Sequence, residues 1–300
     1  MGQVDWIAVD WGTTHMRVWL MSRGGGMIEA RSSDRGMGAL APEGYEPALL
    51  ALISDVLDDA PMPVVICGMA GARQGWAEAP YATVPCAPPD PRQGRRVQTE
   101  DARLQVIILP GVSQSSPADV MRGEETQIKG LIATHPGFDG VACLPGTHTK
   151  WAHLSAGEIV SFQTFMTGEI FALLSQQSVL RHSVALNGWD DDAFKTAVDE
   201  AMSRPQAVAA KLFGLRAAAL LGGLGEVEAR ARLSGLLIGI ELAAARPYWL
   251  GQQVALIGAA YSADAYEVAL SAQGVPVLRQ NPTDMTLAGL SAAYSELEHS

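Results

Sequence analysis

Short apolar runs, each about the length of one strand, punctuate the chain, and several end in turns that carry glycine. Val4 to Asp10, Arg17 to Met21 and Met27 to Arg31 alternate with polar breaks, so a meander is predicted, with Gly24-Gly25-Gly26 as one turn. Helical spacing follows over Tyr45 to Leu57 and is stopped by Pro61 and Pro63. Val64 to Cys67 and Gln105 to Leu109 read as short buried strands. The Pro-, Arg- and Gly-rich segment 80–96 between them reads as an ordered surface loop, and a helix is predicted over Pro117 to Thr134.

The same order then returns. Val141 to Leu144, Trp151 to Leu154 and Ile159 to Phe165 form a second meander, followed by helical patterns at 168–180, 190–202, 205–221 and 226–245. Val254 to Gly258, a helix at 262–272, Val275 to Leu278 and a closing helix at 283–297 complete the chain. Two rounds of strands followed by helices predict an α/β protein of duplicated architecture. The boundary is expected between Pro117 and Asp139, giving regions 1–120 and 121–300.

Composition narrows the classes. With 300 residues, 48% hydrophobic and 18% charged, the chain can build one large core or two ordinary ones. A formal charge of −11 argues against nucleic acid as a partner, though a few local cations suffice to hold a small anion. The longest apolar run, Leu233 to Leu242, is interrupted by Gly235, Gly239 and Glu241, so no membrane span is expected. No basic and apolar leader opens the chain, and Cys67, Cys86 and Cys143 are odd in number with no metal spacing. Free thiols in a cytoplasmic protein are the expectation. The oligomeric state stays open, a homodimer included.

Chemistry gathers at two matching turns. The first apolar run leads into Asp10-Trp11-Gly12-Thr13-Thr14, and the run before Pro145 leads into Gly146-Thr147-His148-Thr149-Lys150. A glycine turn between strands lets backbone N–H groups approach a phosphate, and threonine hydroxyls add donors. One such turn per half suggests two similar lobes gripping a nucleoside triphosphate. Asp10, at the strand end, is placed to hold Mg²⁺ beside the phosphates, its plainer role being a turn residue. Lys150 can neutralise phosphate and His148 can donate to it, although the spacing does not complete a P-loop.

Further segments fall at strand-to-helix or loop-to-helix junctions. Glu124 and Glu125 follow Arg122-Gly123, and either complement a helix dipole or offer a carboxylate that accepts a proton from an attacking hydroxyl. Thr167 reads as an N-cap, with Gly168 beside it at a helix start, and Gly258 leaves room for a purine. The loop Gly68 to Trp76 contributes Arg73, Gln74 and Trp76, a planar cation for a carboxylate and two groups suited to a polyol.

In this order the segments Trp6 to Thr14, Gly68 to Trp76, Arg122 to Gln127, Leu144 to Trp151 and Thr164 to Glu169, with Gly235 to Gly239 beyond them, resemble the 2-dehydro-3-deoxygalactonokinase family of the actin-like ATPase superfamily. The resemblance implies a two-lobed actin-like ATPase (ribonuclease H-like) fold, with duplicated βββαβα lobes and a central nucleotide cleft. It implies ATP and Mg²⁺ as cofactors, and transfer of phosphate to the 6-hydroxyl of 2-dehydro-3-deoxy-D-galactonate. Asp10, Gly12 and Thr13 match the first phosphate loop, and Gly146 and Thr147 the second. The acid often found two positions before the second glycine is Leu144 here. Glu125 matches the acid of a Glu-Glu connector found in polyphosphatase relatives. Rival readings are a phosphohydrolase of the same superfamily, a kinase for another sugar acid such as the gluconate-derived epimer, and a sugar-sensing regulator.

Overall fold

The computed structural model describes residues 3–299. The chain opens with strands β1 (Trp6–Trp11), β2 (Met16–Met21) and β3 (Met27–Ser33), the predicted meander, and helix α1 (Tyr45–Ile53). Strands β4 (Met62–Gly68), β5 (Tyr81–Thr83), β6 (Arg95–Val97), β7 (Leu104–Ile108), β8 (Gly111–Ser115) and β9 (Ala118–Met121) lead to helix α2 (Glu124–Thr134). The second meander is β10 (Gly140–Leu144), β11 (Thr149–Ser155) and β12 (Glu158–Phe165). Helices α3 (Thr167–Gln176), α4 (Asp191–Ser203), α5 (Val208–Leu220), α6 (Glu226–Ala244) and α7 (Arg246–Trp249) follow. Strand β13 (Val254–Ile257), helix α8 (Ala260–Ala272), strand β14 (Val277–Gln280) and helix α9 (Pro282–Glu298) end the described chain.

Strand order is β3-β2-β1-β4-β7-β6 in one sheet, β12-β11-β10-β13-β14 in another and β5-β8-β9 in a third. By contact the residues fall into two compact units. One runs to Asp139 and takes in Leu154–Ser161 and the segment from Pro282 on; the other holds Gly140–His153 and Phe162–Asn281. The continuous division at residue 120 thus differs from the contacts, because α2 and the C-terminal α9 pack on each other within the first unit.

The central strand β1 reads as a continuous apolar run because both of its faces are covered. Ile7, Val9 and Trp11 pack with Tyr45, Leu49 and Ile53 of α1. Trp6 and Ala8, on the opposite face, pack with Leu290 and Tyr294 of α9, and the Trp6 ring stacks on Tyr294 at 4.3 Å. Period-two alternation therefore sends Asp10 to the α9 face, where Val65 and Cys67 of β4 also point. In the second unit Val141, Cys143, Val254 and Leu256 build the core with Trp151 and the helices.

Several predicted boundaries change. The helix expected over Pro117 to Thr134 starts only at Glu124; Ala118–Met121 is a strand paired antiparallel with β8, a strand absent from the sequence reading. The segment 80–96 holds a short strand at Tyr81–Thr83 and the first residues of β6, each paired with a neighbour that no local pattern reveals. The stretch 168–180 ends as an α-helix at Gln176, before a 3₁₀ turn over Val179–His182 capped by Ser178.

Candidate active site

In the first unit, the antiparallel register of β1 and β2 sets Asp10 opposite Arg17, and the parallel register of β1 and β4 sets it beside Cys67. Arg17 forks onto Asp10 Oδ2, its Nε at 3.1 Å and its Nη2 closer, and donates to Thr283 Oγ1 on α9 at 3.0 Å. The Cys67 thiol lies 3.8 Å from Asp10 Oδ1. Burial pushes that thiol well up from its ordinary value, and the Asp10 and Glu125 charges add to the effect. Asp10, from β1, and Glu125, from α2, thus both raise the Cys67 thiol.

Glu125 is 2% exposed, in the first turn of α2. Its carboxyl folds back to accept the Gly123 N–H, at 2.9 Å to Oε1 and 2.7 Å to Oε2, which satisfies a donor of the helix entrance. Burial, reinforced by neighbouring Glu124, pushes its pKa up to about 7, and the peptide N–H groups only partly oppose this. A carboxyl that titrates near neutrality suits a general base.

The first glycine turn is braced from outside the hairpin. Gly12, Thr13 and Thr14 give their carbonyl oxygens to the N–H groups of Met37, Gly38 and Gly36, at 3.0, 2.9 and 3.1 Å. The Gly12 N–H is used by His15, and the Trp11 indole donates to Arg35. A Cβ on Gly36 would collide with the Thr13–Thr14 backbone, so glycine is required for this approach. The carbonyls of the turn are thus held by the 36–38 segment. The 34–38 segment carries no motif, and only the fold shows it as a brace.

The loop after β4 behaves in two ways. Arg73 and Gln74 are exposed. Trp76 is half-buried against Trp11 and stacks on Tyr45, with ring centroids 6.0 Å apart in each pair. Part of its apolar surface is thus used in the core.

In the second unit, Gly146, Thr147 and His148 form an exposed turn between β10 and β11. The start of α3 docks on it: Glu169 N–H donates to Thr147 O at 2.9 Å, and a Cβ on Gly168 would collide with Gly146 O. His148 Nε2 pairs with Glu169 Oε2 at 2.5 Å. Lys150 is buried and donates to Thr164 Oγ1 at 2.9 Å. Gly258 follows β13 beside Pro145, where a Cβ would lie 3.3 Å from that ring. Beside these turns an open pocket of about 520 Å³ is lined by Gly146, Thr167, Gly168, Phe171, Tyr261 and Tyr266. Leu237 and Ile238 add to its walls. A mostly apolar slot next to a glycine turn suits a flat heterocycle carrying a phosphate tail.

The structure thus brings Asp10 to Arg17 and Cys67, and Gly146 and Thr147 to Gly168. Sequence reasoning missed Arg17, Cys67 and Glu241. The first two emerge from strand register. Glu241 had a visible signal, an acid inside an apolar helix, which the sequence reading used only against a membrane span. Among the described residues no helix is long and apolar enough to cross a membrane, and no group of three metal-ligating side chains occurs.

A family model described as 2-keto-3-deoxy-galactonokinase matches residues 10–293. A provisionally named 2-dehydro-3-deoxygalactonokinase of Rhizobium meliloti (strain 1021) is 39% identical over 292 residues, 95% of each chain. The 2-dehydro-3-deoxygalactonokinase of Escherichia coli (strain K12) is 36% identical over 276 residues, 91% of each chain. A crystal structure provisionally named for the same activity, from Sinorhizobium meliloti, superposes with a TM-score of 0.91 at 37% identity, over 97% of this chain and 99% of that one. Component A of (R)-2-hydroxyglutaryl-CoA dehydratase from Acidaminococcus fermentans shares the fold at a TM-score of 0.55 and 12% identity, over 98% of each chain. The α/β fold is thus shared with both solved structures.

Proposed function

Because the chain belongs to the 2-keto-3-deoxy-galactonokinase family, we propose that it transfers the γ-phosphate of ATP to the 6-hydroxyl of 2-dehydro-3-deoxy-D-galactonate. The observation that carries this reading is Asp10, held by Arg17 and Cys67 at the end of β1 beside a braced glycine turn, with the buried carboxyl of Glu125 in the first turn of α2.

The Thr13 and Thr14 N–H groups take phosphate oxygens in this scheme, as do Gly146 and Thr147 in the second unit. The apolar pocket beside Gly168 takes the adenosine, with Gly258 behind it. Phosphoryl transfer demands positioning and charge neutralisation above all, and fixed backbone donors supply both. Glu125 accepts the proton of the attacking hydroxyl, for which one of its oxygens must turn from the Gly123 N–H. Arg73 is exposed and therefore available to the carboxylate of the sugar acid, with Gln74 and the outer edge of Trp76 beside it. His148 and Lys150 act as further phosphate partners, His148 from the turn itself and Lys150 by extending from Thr164.

Mg²⁺ bound to nucleotide phosphates needs only one or two protein carboxylates, and Asp10 has one oxygen outside the Arg17 fork, so the donor set fits. The ion would supply neutralisation of the phosphate charge. The three cysteines are free thiols, two of them buried, which fits a cytoplasmic protein.

A coupled assay for ADP release tests the reading. ADP formed only when 2-dehydro-3-deoxy-D-galactonate is added, with the C4 epimer as comparison, is the expected result. ADP release that ignores the sugar acid would replace the kinase with a phosphohydrolase.

A further inference from the structure

The buried positions of α6 run from Ala229 to Leu242 and are aliphatic or glycine except for Glu241. That residue is 2% exposed, and burial pushes its pKa up to about 7. An acid in such a place is costly, and a well-packed apolar side chain of similar size would serve stability better. Its contacts show another use. Trp151 Nε1 donates to Oε1 at 2.8 Å; the Tyr266 hydroxyl at 2.7 Å and the Thr167 hydroxyl both meet Oε2. The Tyr266 oxygen also lies 3.0 Å from Thr149 Oγ1. One carboxyl thus ties α6 to β11 through Trp151, to the first residue of α3 through Thr167, and to α8 through Tyr266. The thiol of Cys143, on β10, is the other titratable group that feels it.

Two of these donors, Thr167 and Tyr266, line the apolar pocket, and Gly168, next to Thr167, docks on the second glycine turn. Neither hydroxyl can rotate into the pocket without leaving a buried carboxyl short of a partner. We infer that Glu241 is a positioning residue for nucleotide binding, which locks the Tyr266 and Thr167 side chains and the start of α3 into the shape a purine meets. The inference rests on the pocket being the nucleotide site. It predicts that Glu241 acts on nucleotide affinity through its neighbours, without touching the nucleotide.

The test is calorimetric titration of the full chain with ADP, alongside steady-state kinetics. Glu241→Gln keeps size and the acceptor for Trp151 but puts an amide N–H₂ where two hydroxyls donate. It should weaken ADP binding about 10-fold and raise KM for ATP by a similar factor, with KM for the sugar acid unmoved. Tyr266→Phe should weaken ADP binding about 3-fold, and the double variant should be no weaker than Glu241→Gln alone, because the hydrogen bond lost from Tyr266 is one of those Glu241→Gln already disturbs. A merely structural role would lower the melting temperature and leave the KM values of the folded enzyme alone.

Folded Glu241→Gln with wild-type ADP affinity, or strictly additive single effects, overturns the inference. If Glu241→Gln does not fold, Tyr266→Phe and Thr167→Val decide the matter: unchanged affinity in both overturns it, and weakened affinity in both upholds it. Wild-type protein that does not bind ADP removes the nucleotide site itself. Wild-type binding that the variants leave untouched removes only the role of Glu241.

Discussion

Glu125 and Glu241 are buried carboxyls on helices of different units, and desolvation raises both to about 7. Their hydrogen bonds separate them. Glu125 leans on a peptide N–H at the entrance of its own helix and, more weakly, on the hydroxyl of the adjacent Thr126. Glu241 is surrounded by side-chain donors from three other elements. A base needs a lone pair it can offer to a new proton, and the donors on Glu125 come from its own helix entrance, whereas those on Glu241 come from three other elements. A shifted titration alone therefore does not distinguish a chemical role from an architectural one; the identity of the donors does.

If the first unit carries the chemistry, its carboxylates should control turnover. Asp10→Asn should lower kcat beyond about 10⁴-fold, to the floor of the coupled assay, while circular dichroism shows a folded chain. Unchanged kcat would remove Asp10 from the mechanism. Glu125→Gln should cost about 10²–10³-fold in kcat. In the wild type, kcat should rise with pH through about 7 to a plateau, because the base works only when ionised, and Glu125→Gln should flatten that limb. A limb that survives the substitution would assign the titration to another group.

Arg73→Ala should raise KM for the sugar acid about 10-fold and leave KM for ATP within about 2-fold. Equal changes in both would contradict its assignment. The smallest effect is on stability. Both glutamates have folded values above the unfolded 4.5, so the folded chain binds the extra protons. Their contribution is full below about 4.5 and is lost as pH rises through about 7, at up to about 1.4 kcal/mol per pH unit for each group. Urea unfolding at pH 5, 6 and 7 should show this decline, and Glu241→Gln should remove one share of it. Stability that climbs over the same range would reverse the sign.

The legible parts were those with a local cause. Strand β1 could be read because a strand covered on both faces is apolar throughout, and the glycine turns because a tight bend between strands needs glycine. Asp10 and Glu125 could each be found at the end of an element. Strands β5 and β9 were not legible, since each is only three or four residues long, and β5 pairs with β8, far along the chain. The Gly36 brace has no signature because backbone N–H groups form it.

Amphipathic period and turn chemistry are properties of neighbouring residues, so the α/β class, the two meanders and the positions of the glycine turns follow from the order of amino acids alone. Which carboxyl meets which thiol, and which hydroxyls hold Glu241, depends on strand register and helix packing between residues far apart in the chain. Those distances set the desolvation that moves Glu125 and Glu241 to neutrality, and no local pattern encodes a dielectric.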